Sequence, residues 1–284
     1  MRLQARLLVP LMIMAMWLIT SCSRPTNQAQ GYIEGRYTYM ATPVSGILKE
    51  INVSRGTQVK KGQILFVLEE EPESDLYAAA LENLKQSIGA RDAIAANLAY
   101  AKLTFERYQV LLPKKAVSQS QLDNARTIYN VLTAQLAQAN ATIASSTETV
   151  AQTKWTMNQK IVSAPVDAMV FDTYYRLGEY TLANQAVLSL LAPSNIKAIF
   201  YVSEAVLGKL KLSDKVSVQC DGCKQIYYGN ISFISPTAEY TPPVIYSNET
   251  TEKLIYRIEA EFIPQVAAQL HPGQPVIVRY SNSR

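Results

Sequence analysis

The stretch from 74 to 157 limits what this chain can become more than any other. Across about eighty residues it contains one glycine, Gly89, and one proline, Pro113. Apolar or small residues recur at Leu122, Ala125, Tyr129, Leu132, Leu136, Ala139, Ile143, Ser146 and Val150. Their spacing alternates between three and four positions, which is a heptad seam. The preceding arm keeps the rhythm less strictly at Leu81, Leu84 and Ile88, then Leu98, Ala101, Phe105, Tyr108 and Leu112. Pro113 and two lysines interrupt it, and Ser118 or Ser120 can cap a second helix. The pattern predicts two long antiparallel helices over 74–157 with a turn near 113–118. At 1.5 Å per residue each arm is roughly 55 Å long. A helix of an ordinary globular bundle shows three or four apolar positions per two turns. These arms show about two, and the other faces carry Gln, Asn, Thr, Lys and Ser. That favours a projecting hairpin over a bundle.

Residues 42–68 and 164–190 align without a gap at an offset of 165 − 43 = 122, pairing Pro43 with Pro165, Val44 with Val166, Gly56 with Gly178, Gln63 with Gln185 and Leu68 with Leu190. Each copy reads as alternating strand, glycine turn and second strand. Two such halves make one small β-sandwich, with the hairpin inserted between them.

The first 21 residues read as an export signal. Arg2 and Arg6 form the basic end, and Leu7 to Thr20 is apolar. That segment is shorter than the ~20 residues needed to span a bilayer. Residues 23–31 read as a short disordered tether. The chain carries 27 Lys+Arg against 23 Asp+Glu; without Arg2 and Arg6 the balance is 25 − 23 = +2. Neither the charge nor its distribution marks a nucleic-acid binder. One histidine, His271, and three cysteines argue against a zinc site. No nucleophile–base pair, phosphate loop or metal cluster is visible, and no cofactor is expected.

From Asn195 the chain alternates in short strands: 196–202, 215–219, 225–234, 253–262 and 275–280. A short helix after Ser203 and turns such as His271-Pro-Gly-Gln274 separate them. This pattern suggests a small β-barrel over 194–284, with 31–36 as a candidate contributor. Cys220 and Cys223 flank Asp-Gly, a turn signal between strands, where a structural disulfide is a better reading than a redox centre.

Leu18-Ile-Thr-Ser-Cys22 resembles a bacterial lipobox, which implies lipidation of Cys22. The repeated halves, 37–73 and 158–193, resemble the lipoyl-like (barrel-sandwich hybrid) carrier fold. The tight turn that presents the modifiable lysine of a carrier is replaced here by residues 74–157; Lys60, Lys61 and Lys160 lack that lysine's sequence context. A lipoylated or biotinylated carrier remains an alternative on fold alone.

A lipid-anchored chain with a split lipoyl-like domain, a long inserted hairpin and a following barrel resembles the HlyD-like periplasmic adaptors, the membrane fusion proteins of tripartite efflux and secretion systems. The resemblance covers about residues 31–284. At the hairpin tip, Arg107, Leu111 and Ser118 match the family's pattern of Arg, Leu four later and Ser seven after that. The resemblance implies that these three contact a TolC-like outer-membrane channel. Tyr201-Val-Ser-Glu-Ala205 and Ile234-Ser-Pro-Thr-Ala-Glu-Tyr-Thr-Pro242 resemble adaptors serving ABC exporters.

The implied architecture is α+β, multidomain and elongated. The implied function is an adaptor between an inner-membrane transporter, of ABC type in preference to proton-driven, and the channel. It would assemble as a ring of six copies and sit in the periplasm on a lipid anchor. Ser23 leaves sorting to the outer membrane open. Adaptors of a protein-secretion system, or a structural coiled-coil lipoprotein, are the competing readings. With 275–280 read as the barrel's last strand, the further membrane-proximal domain that many adaptors have is not expected after it.

Overall fold

The structure, a computed structural model, describes residues 27–223, 225–240 and 254–281. They form two compact units, one of Thr38–Leu190 and one combining the first residues through Tyr37 with those from Leu191 onward. The signal segment, Cys22 and Ser23 lie outside the described residues.

The second unit in space opens the chain: strand β1 (Gln28–Gly35) belongs to the barrel. In the other unit, β2 (Thr38–Met40), β3 (Gly46–Ile51), β4 (Gln58–Val59) and β5 (Ile64–Leu68) form the first half. Helices α1 (Glu73–Leu111) and α2 (Gln119–Asn158) follow. The second half comprises β6 (Ile161–Ser163), β7 (Ala168–Thr173), β8 (Tyr180–Thr181) and β9 (Leu188–Leu191). Both four-stranded sheets, β2-β9-β7-β4 and β6-β5-β3-β8, mix strands from the two halves. Leu48, Leu65, Phe66, Leu68, Val170, Leu188 and Leu190 between them are wholly enclosed.

The offset of 122 is written into the hydrogen bonds. Gly56 N–H donates to Val170 O at 2.8 Å, and its counterpart Gly178 N–H donates to Leu48 O at 2.8 Å. Gly62 N–H donates to Ala164 O, and Asn184 N–H to Thr42 O. Gly56 and Gly178 both have φ of 85°. That conformation costs a residue with a Cβ, which explains why glycine occupies both copies.

In α2 the seam residues from Leu122 to Val150 are all buried or half-buried, and every residue between them is exposed. Phe105 stacks on Tyr129 across the hairpin with ring centroids 5.8 Å apart. One seam position in α1 differs from expectation. Ile88 lies outward, 36% exposed, and Ser87 takes its place with Oγ 3.3 Å from Ser146 Oγ. The rhythm runs Leu84, Ser87, Arg91, Ile94, Leu98, so an apolar residue one position late is carried off the face.

The barrel closes through β1, β10 (Ile196–Ser203), β14 (Leu254–Glu261), β12 (Tyr227–Ile234), β11 (Lys215–Gln219) and β15 (Pro275–Tyr280), all neighbours antiparallel. A short β13 (Glu239–Tyr240) extends β14, and one-turn helices α3 (Glu204–Leu207) and α4 (Pro264–Ala267) complete the unit. Ile33, Ala198, Phe200, Ile258, Ala260 and Val278 fill its core. The tether expected through residue 31 is therefore shorter, because residues from Gln28 pair with β15. Their polar side chains concealed a strand that contributes backbone hydrogen bonds while facing water. At Gly31 a Cβ would stand 2.1 Å from Ile199 O, so only glycine lets β1 approach β10 there.

Candidate functional site

The hairpin tip is built by a helix stop and a helix start. Pro113 enters the short 3-10 turn Leu112–Lys114, and Lys115 adopts φ of 55°, which turns the chain back. Lys115 N–H donates to Leu112 O at 2.9 Å and Ala116 N–H to Leu111 O at 3.3 Å, satisfying the end of α1. Ser118 caps α2 in a reciprocal box: Gln121 N–H donates to Ser118 Oγ at 3.2 Å, and Ser118 N–H to Gln121 Oε1 at 2.8 Å.

Arg107 and Leu111 lie one turn apart on the last two turns of α1, Arg107 exposed and Leu111 half-buried. Ser118 is exposed on the far side of the turn. The tip thus offers water a guanidinium, part of an isobutyl group and a hydroxyl, with Lys114 and Lys115 alongside. Among the described residues no group of acidic, Cys and His side chains is poised to hold a metal.

Val110 lies off the heptad seam, which does not reveal it. It is 62% exposed beside Leu111, and Tyr100 and Leu103 are 74% and 59% exposed on the same helix. They fall on a second heptad series, Ala93, Ala96, Tyr100, Leu103, Arg107 and Val110, opposite the seam. Apolar residues at heptad spacing but off the seam were the available signal. Part of the series is Arg107 itself.

The sulfurs of Cys220 and Cys223 lie against each other in the turn after β11, with Cα atoms 5.3 Å apart. Gly222 between them has φ of 82°. Of the lysines weighed as carrier sites, Lys60 and Lys61 are exposed in the turn before β5. Lys160 is 1% exposed and engaged with Glu73. On the barrel wall, burial raises the Tyr201 phenol above its ordinary range, with a hydrogen bond to Tyr32 adding to it.

A β domain split by a helical hairpin, followed by a closed six-stranded barrel, is the build of membrane fusion adaptors. Residues 83–163 match the family model described as "RND MFP, alpha-helical hairpin domain". A "UPF0194 membrane protein" of Yersinia pseudotuberculosis is 27% identical over 289 residues, covering 88% of each chain. MacA from Actinobacillus actinomycetemcomitans superposes with a TM-score of 0.73 at 18% identity, over 90% of this chain and 79% of that one. The membrane fusion protein Spr0693 from Streptococcus pneumoniae R6 does so with 0.65 at 16% identity, over 90% and 99%. At those identities the two structures speak for the fold alone. With the hairpin match, they make this chain similar to the HlyD-like adaptors, the membrane fusion proteins, in fold and in its hairpin. No helix among the described residues is long and apolar enough to cross a membrane.

Proposed function

We propose that this chain is a periplasmic adaptor that joins an inner-membrane ABC exporter to a TolC-like outer-membrane channel for efflux of small molecules. The observation that carries this reading is the tip, where Arg107 and Leu111 end one helix and Ser118 begins the next. Six copies form a ring, their hairpins meet the channel through these tips, and Cys22 bears the lipid that holds the ring to the inner membrane. Cys220 and Cys223 form a structural disulfide suited to an oxidising compartment. Weak contacts repeated around a ring gain strength through effective concentration, so each tip needs only modest affinity. The protein itself performs no chemistry on this reading, and the exporter supplies the energy. Since the matched hairpin model is one described for RND adaptors, an RND-type exporter is the second reading.

The test is Leu111→Asp in a strain that depends on the adaptor for drug resistance. A carboxylate at a contact that must be desolvated is costly, so resistance should fall to the level of the deletion strain while the protein folds and localises normally. Full resistance in that variant would sink the tip assignment. Partners recovered with the tagged wild-type protein from native membranes would decide between the two exporter types.

A further inference from the structure

Two charged side chains are buried among the described residues, Lys160 and Glu259. Lys160 follows α2 by two positions, and neither the β core nor the proposed tip contact uses its charge. Its Nζ lies 2.8 Å from Oε2 of Glu73, the first residue of α1, and donates to Ser45 O, just before β3, at 2.9 Å. One ammonium therefore joins the hairpin's entry, its exit and the first half of the β domain. The exit strand is itself held in place, because Leu68 N–H donates to Lys160 O at 2.8 Å. Thr42 Oγ1 donates to Gln159 O at 2.8 Å beside it.

Two further details show that space and charge are arranged around this group. A Cβ on Gly46 would stand 3.0 Å from Lys160 Nζ. Gly46 is not among the positive-φ glycines, so room rather than backbone conformation explains it. Its repeat counterpart, at 46 + 122 = 168, is Ala168, which keeps its methyl group in the core. The internal symmetry is thus broken where the ammonium sits. Glu73 Oε2 is buried, and no hydrogen-bond donor is aligned with it, so the contact with Lys160 is a charge contact alone. A buried pair of this kind adds little net stability over apolar residues of similar volume, whereas removing one member is costly.

We infer that Lys160, Glu73 and Gly46 form a latch that sets the direction in which the hairpin leaves the β domain, and that opening it frees the hairpin root. These are positioning residues. Their effect on export rests on the adaptor reading, but their effect on the root does not.

Backbone hydrogen exchange on the full chain tests this. Glu73→Gln and Gly46→Ala should each raise exchange at 73–80 and 153–160 by tenfold or more, while 65–68 and 188–191 stay as protected as in the wild type. The double variant Glu73→Leu/Lys160→Met should recover the melting temperature but neither root protection nor export. Unchanged root exchange in both single variants would overturn the latch. So would loss of protection at 65–68 together with the root, which would make the pair part of the core. Full recovery of root protection and export in the double variant would do the same, since packing alone would then suffice. A wild-type chain that supports no export would defeat the adaptor reading and leave the exchange result standing.

Discussion

The two buried charges are held in opposite ways. Glu259, on β14 of the barrel, is 4% exposed and has three cations around it: Arg36 at 2.6 Å, Lys197 at 3.2 Å and Arg257 at 3.3 Å. Those cations come from β10, β14 and the residue just after β1, and Glu34 gives Arg36 and Arg257 a second carboxylate. Lys160 has one carboxylate and one carbonyl. The barrel cluster is redundant, so it tolerates loss of a member and ties three neighbouring segments of a closed wall. The buried charge at the hairpin root has a single counter-ion. A closed wall of strands and a joint between elements are thus held with different degrees of redundancy.

The comparison predicts an order of effects. Glu73→Ala should be the most damaging, because it leaves an ammonium that is 1% exposed with only Ser45 O. Orphaning a buried charge costs about 3 kcal/mol or more. Trp155 is near the root on α2, and urea unfolding followed by its fluorescence should show the free energy of unfolding falling by that amount. Glu259→Ala should cost less, about 2 kcal/mol. It removes an anion from cations whose side chains are 20–53% exposed and can turn toward water. A larger loss for Glu259→Ala than for Glu73→Ala, measured in the same urea series, would reverse the comparison.

Much of this architecture could be read from residues alone, and the failures share a cause. The seam of α2 was legible because Leu122 to Val150 repeat with helical spacing and every turn contributes a side chain to one face. The lipoyl-like halves were legible because Gly56 and Gly178 occupy the same strained φ, which few other residues tolerate. Strand β1 was not legible, since Gln28, Ala29, Gln30 and Gly31 have no alternation and owe their place to β15 and β10. Ile88 was misplaced because composition favoured it over Ser87, while the phase of the helix favoured Ser87. Lys160 could be singled out as a lysine near the hairpin's exit, yet nothing in the sequence announces that Glu73, 87 positions earlier, lies 2.8 Å away. Contacts across the insertion depend on where the chain returns, which no local pattern encodes. At the tip the spacing of Arg107, Leu111 and Ser118 was visible, and so was the capping role of Ser118. The exposed Val110 was not, because it lies off the seam, on the opposite face.

The smallest effect belongs to Arg36→Ala. Arg36 makes the shortest contact to Glu259, and the hydrogen bond it donates to Glu34, then the charge of Glu259, raises its pKa above the ordinary arginine value. By distance alone it would seem the key partner. Its side chain is 53% exposed, however, so water screens the pair and solvates the guanidinium in any other rotamer. Losing it still leaves Glu259 with Lys197 and Arg257, and Glu34 with Arg257. The expected cost is therefore about 0.5 kcal/mol, with barrel amides at 197–202 and 257–260 as slow to exchange as before. If Arg36→Ala cost as much as Glu73→Ala, the three cations would not be interchangeable. The buried charge of the barrel would then rely on one counter-ion as Lys160 does, and redundancy would no longer separate the two sites.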